Sequence, residues 1–138
     1  MVFALIKALH LLALAFGAAA SLGNIYLALS TGPHDLAAPG FTNMLRKLYR
    51  LTALGAIVTL WVTGLILMAW RHGIWIDGFA FNAKIALAAL LTAIILFLNA
   101  MAPRWARSGG PPSYVPVLHW LGAALLLSIV LLAAIAFG

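Results

Sequence analysis

The stretch Val2–Ser30, VFALIKALHLLALAFGAAASLGNIYLALS, decides how the rest of the chain is read. It is longer than the roughly 20 apolar residues that cross a hydrocarbon core as helix. Lys7, His10, Leu14, Gly17, Ser21 and Asn24 follow one another at alternating spacings of three and four, which keeps them on one helical face. Lipid-facing surface does not carry lysine, histidine and asparagine in one stripe, so the stripe is expected to point into a bundle. Gly17 and Ser21 form a small-xxx-small pair suited to close helix approach. The small residues Gly17-Ala18-Ala19-Ala20 also resemble a signal-peptide cleavage region, but the usual basic start is missing, so we read a retained helix.

Three more apolar runs follow. Thr31-Gly32-Pro33 stops the first helix, and a polar loop with Pro39 and Gly40 runs to Asn43. Helices are expected over about 44–70, 79–101 and 115–137, separated by a short amphipathic connection at Ile74–Phe81 and a Gly/Pro loop after Pro103. Of the 138 residues, 66% are hydrophobic and 7% charged, more apolar surface than a soluble domain of this length can hide. The expected fold is therefore all-α: one integral membrane domain, residues 1–138, built as a bundle of four transmembrane helices.

The formal charge is +6, but the basic residues flank apolar runs, so anionic headgroups explain them and no nucleic-acid role is assigned. With four spans both termini lie on one face, here called the terminal face. The opposite face receives Arg46, Lys47, Arg50, Arg104 and Arg107, against Lys7, Arg71 and Lys84 on the terminal face. The positive-inside rule then places the opposite face in the cytoplasm and both termini outside, in a bacterial-type inner membrane.

The absence of cysteine excludes disulfides, iron–sulfur clusters and thiolate-bound zinc. The two acids, Asp35 and Asp77, both fall in connections, so paired-carboxylate chemistry inside the membrane is excluded as well. Further polar stripes run along helix 2 (Thr52, Ala56, Thr59, Thr63), helix 3 (Lys84, Ala88, Thr92, Ile95, Asn99) and helix 4 (His119, Gly122, Leu126). The threonines and Asn99 are read as interhelical glue. His10 and Lys84 lie at similar depth from the terminal face, and an ionisable group there is a functional candidate by default. His34 and His72 sit in or beside connections. His119 starts from the other face and differs from His10 in depth by more than ~10 Å, too far for both to ligate one haem iron. The five tryptophans are read as an interfacial belt.

Leu5-Ile6-Lys7-Ala8-Leu9-His10, Arg46-Lys47-Leu48-Tyr49-Arg50-Leu51 before a helix with Gly64, and Asn82-Ala83-Lys84-Ile85-Ala86-Leu87 occur in an order and spacing that resembles the HemJ proteins and the related CopD-type membrane domains. The likeness covers nearly the whole chain, as a diverged member; Leu98-Asn99-Ala100 and Leu118-His119-Trp120 depart from the family pattern. The resemblance implies a porphyrin-handling protein: an oxidase of protoporphyrinogen IX, quinone-linked, carrying haem b. His10 would be the metal ligand and Lys84 a catalytic acid–base or propionate-pairing group, with Arg50 joining them as a cofactor contact. One alternative is copper handling by histidine and methionine, although Met44, Met68 and Met101 share no stripe with His10. Another is a non-catalytic accessory subunit of a membrane complex, with side chains filling the seams; separately, Gly17/Ser21 and Gly55 offer small-residue surfaces for a homodimer.

Overall fold

The computed structural model describes residues 1–30, 39–72 and 78–137. Four helices account for nearly all of them: α1 (Val2–Ser30), α2 (Pro39–His72), α3 (Phe79–Arg107) and α4 (Val115–Phe137). Each contains a span long and apolar enough to cross a membrane, and no strand occurs among the described residues. The protein is an all-α, multi-pass membrane bundle. His34, Asp35, Trp75, Asp77 and the connection expected from Ile74 up to residue 77 lie outside the described residues, as do the side chains of Arg71 and His72.

Two helix boundaries differ from expectation. Helix α2 begins at Pro39 rather than near 44, because proline suits a first helical turn, whose N–H groups have no intrahelical acceptor. Helix α3 does not stop at Pro103 but continues to Arg107. Proline there forgoes only the bond to the Asn99 carbonyl, a loss that membrane helices tolerate near their ends. The turn follows at Ser108, whose N–H reaches the carbonyls of Arg104 and Trp105, while Gly109 and Gly110 take the positive φ values that reverse the chain.

Consecutive helices run in opposite directions, α1 packing on α2 and α4, α3 on α4 and α2, so that α1 and α3 face each other diagonally. Outward side chains such as Leu5, Tyr26 and Ile135 are about 70% exposed, as a lipid-facing surface requires. Lipid tails are as apolar as leucine, so burial does not hold such helices together; close packing and interhelical hydrogen bonds do. The α1–α2 pair shows both. His10 bonds Thr63, Gly17 lies against the Ala56 methyl, and Gly23 lies under the Tyr49 ring, an antiparallel ladder of three contacts. Gly17 is thus spent inside the chain rather than on a dimer surface, whereas Gly55 is exposed with nothing within 4 Å of its added Cβ. Trp61 donates from Nε1 to Thr92 Oγ at 2.9 Å, joining α2 to α3. Thr59 and Asn99, read from sequence as interhelical glue, instead bond carbonyls one turn back in their own helices.

A Cβ at Gly23 would stand 2.6 Å from the Tyr49 ring. Gly23→Ala is therefore expected to displace that ring and cost about 1–3 kcal/mol, while Gly55→Ala is neutral or slightly stabilising. Thermal unfolding in mild detergent checks this. In a Tyr49→Ala background the Gly23→Ala loss should disappear; equal losses at Gly23 and Gly55 would contradict the packing.

Candidate functional site

The polar stripe of α1 divides between two cavities. Lys7, His10 and Leu14 line one, of about 350 Å³, at the terminal face; Gly17, Ser21 and Asn24 line the other, of about 980 Å³, at the opposite face. Ile57, Leu60, Leu91 and Leu126 line both, so four aliphatic side chains form the partition between them. Ile57 and Leu91 belong to the buried core of the bundle together with Ile94 and Leu125.

At the terminal face, His10 projects from α1 between α2 and α3. Its Nδ1 lies 2.7 Å from Thr63 Oγ, and the same hydroxyl lies 2.6 Å from the Thr59 carbonyl. A carbonyl can only accept, so the single hydroxyl proton of Thr63 goes to Thr59. Thr63 must then accept from His10, which fixes the imidazole as an Nδ1–H donor. In the neutral ring the lone pair falls on Nε2, and no described residue hydrogen-bonds that atom. Thr63, 3% exposed, is the buried polar residue of the described set. Gly64 supplies the space beside the ring, its added Cβ falling 3.5 Å from His10 Cε1.

Lys84, from α3, lines the same cavity and lies within electrostatic reach of the imidazole. The two residues meet across the diagonal of the bundle, not between adjacent helices. The remaining wall is apolar, with Trp61, Met68, Phe81 and Ile129 among its side chains. Phe3 lies at the outer end in edge contact with Trp70, ring centroids 6.3 Å apart. Among the described residues no three His, Cys, Asp or Glu side chains gather to hold a metal ion by themselves. A metal in this cavity would come within a larger cofactor or take softer ligands.

Arg50, grouped with His10 and Lys84 on the resemblance, lies in the other cavity. It shares that space with Arg46, Lys47 and His119. Arg46 is within electrostatic reach of His119. The Nε–H of Arg50 is buried without a partner among the described residues, a deficit worth about 1–3 kcal/mol when a donor is left unmade. His10 and His119 stand on opposite sides of the partition. Trp105 is no belt residue: it is 9% exposed and packs edge-on against Phe97 and Tyr114 at the end of α3.

Three contributors escaped sequence reasoning. Thr63 is the interhelical glue it was read as, bonding α1 to α2, but its hold on the His10 tautomer was not read from the sequence. Trp61 was placed in the belt, yet it is half-buried against the His10 cavity. Met68 shares no stripe with His10 but shares its cavity, because the register between helices, not the spacing within one, decides which side chains meet.

No family model, curated protein or solved structure matches this chain, so the site stands on its own geometry. Thr63→Val removes the acceptor for His10 and is expected to cost about 1 kcal/mol of stability in detergent, in line with interhelical hydrogen bonds in membranes. Thr63→Ser retains the acceptor and should recover most of it. Equal losses for the two variants would mean that the methyl group, not the hydroxyl, matters at this position.

Proposed function

We propose that the terminal-face cavity binds a haem or porphyrin, and that His10, through Nε2, would hold the metal of a haem. One observation carries the reading: a histidine held by its Nδ1 so that Nε2 is left for a ligand, inside a cavity that is apolar apart from Lys7 and Lys84. Metal-ligating histidines characteristically donate their second ring N–H to a neighbouring acceptor, which orients the ring. At about 350 Å³ the cavity lies near the lower end of the roughly 300–1,000 Å³ usual for small-molecule sites, and it is open on one side, so a porphyrin would be only partly enclosed. Lys84, and Lys7 nearer the mouth, would pair the carboxylates of such a ligand, while Trp61, Phe81 and the aliphatic wall exclude water.

When bound, a haem supplies one-electron redox chemistry. The protein's own part is to ligate through His10, to neutralise carboxylates through the lysines and, with Lys84, to offer a proton donor or acceptor beside the ligand. The family resemblance of the sequence extends this to porphyrinogen oxidation, with a membrane quinone taking the electrons. The excess of arginine and lysine on the opposite face supports an inner-membrane protein with that face cytoplasmic and both termini outside.

A second reading has a specific observation in its favour. Met68 lines the cavity with His10, and an imidazole with a thioether is a ligand pair suited to Cu(I).

Absorption spectra of the purified protein, oxidised and dithionite-reduced, with haem added where needed, test both readings. The haem reading expects a Soret band that shifts on reduction and is lost in His10→Ala. Lys84→Met should weaken haem binding about tenfold, the worth of a lost charge-assisted contact, without changing the Soret position. Wild-type protein that stays colourless after haem addition would overturn this reading. Cu(I) binding lost in Met68→Leu would then support the copper reading.

A further inference from the structure

The opposite-face cavity has a different chemistry from the His10 site. Arg46 and Arg50 stand four residues apart on one face of α2, so Arg50 lies about 6 Å deeper into the membrane. Lys47 and His119 complete the basic end. From Arg46 to Leu60 the cavity extends along 14 residues of α2, about 21 Å of helix. Its inner end is the aliphatic partition. A space that is cationic at the headgroup level and hydrocarbon-like below matches an amphiphile, and matches neither a small ion nor a wholly apolar molecule.

Charge narrows the head group. The chain has two acids, and in sequence one of them, Asp35, belongs to the connection from Ser30 to Pro39, which joins α1 to α2. It can offset at most one of the three positive charges of Arg46, Lys47 and Arg50. The remaining charge of at least +2 suits a phosphate monoester, which carries about −1.5 to −2 near neutrality, better than a single carboxylate. Guanidinium groups also match the paired oxygens of a phosphate.

We propose that the opposite-face cavity binds a single-chain lipid phosphate monoester, its phosphate held by Arg46 and Arg50 and its chain lying on the partition at Leu60 and Leu126. The site is separate from the His10 cavity and does not depend on what that cavity binds. Arg104 is exposed and does not line the cavity, so it serves as the control for general attraction between basic surface and anionic lipid.

Native mass spectrometry in a neutral detergent tests this with lysophosphatidate, a phosphocholine lipid and a fatty acid of the same chain length, and inorganic phosphate. The expected result is one lysophosphatidate per chain, with the phosphocholine lipid and the fatty acid each at least about tenfold weaker. Inorganic phosphate at the same concentration should not displace it. Arg50→Gln should weaken binding about tenfold or more, with Arg104→Gln unchanged. Displacement by inorganic phosphate would overturn the lipid assignment in favour of a free-phosphate site. Equal binding of the fatty acid would overturn the phosphate assignment. Equal weakening by Arg104→Gln and Arg50→Gln would reduce the effect to surface charge. The ligand comparison uses wild-type protein, so it decides even if Arg50→Gln fails to fold.

Discussion

The hydroxyl of Thr63 is the point on which the terminal half of the bundle depends. It gives its proton to the Thr59 carbonyl and takes one from His10, so a single buried group ties α1 to α2 and sets the chemistry of the imidazole. In lipid the helices gain nothing from hiding apolar surface from one another. The pairing of α1 with α2 therefore rests on this bond and on the two places where glycine lets α2 approach, Gly17 against Ala56 and Gly23 beneath Tyr49. The spacing of those contacts along the two helices fixes their register. That register, in turn, brings Trp61 and Met68 to the histidine.

The partition gives the molecule two unlike ends. Ile57, Leu60, Leu91 and Leu126, common to both linings, carry no hydrogen-bonding side chain, so the two cavities adjoin across an apolar boundary. On the terminal face an imidazole and lysines meet an apolar wall, a combination suited to a flat ligand with a metal centre and carboxylates. On the opposite face Arg46 and Arg50 line the larger cavity at the end of the bundle away from the termini. The +6 charge is thus no undifferentiated coating: part of it is drawn into two internal sites of different character.

Much of this organisation was legible in the sequence, because the bilayer removes alternatives. Apolar runs of spanning length located the four helices, and spacings of three and four located the inward face of each. All six residues of the α1 stripe, Lys7 to Asn24, line one cavity or the other. What periodicity within a helix does not encode is the register and order between helices. His10 and Lys84 meet across a diagonal rather than between neighbours, Arg50 falls in the other cavity, and Met68 enters the His10 cavity from off the stripe. The helix ends were misread for a different reason. Pro39 and Pro103 act as breakers in water, but one sits where a helix begins and the other in the last turns of a helix that continues to Arg107.

The central claim is that Thr63 holds His10 so that its Nε2 carries the lone pair available to a ligand. Nitrogen-15 NMR of histidine-labelled protein, with the His10 signals assigned by their loss in His10→Ala, tests it most directly. The account predicts a protonated Nδ1 and an unprotonated Nε2 in the neutral ring, with that preference lost in Thr63→Val. A neutral His10 protonated at Nε2 in the wild-type protein would contradict it.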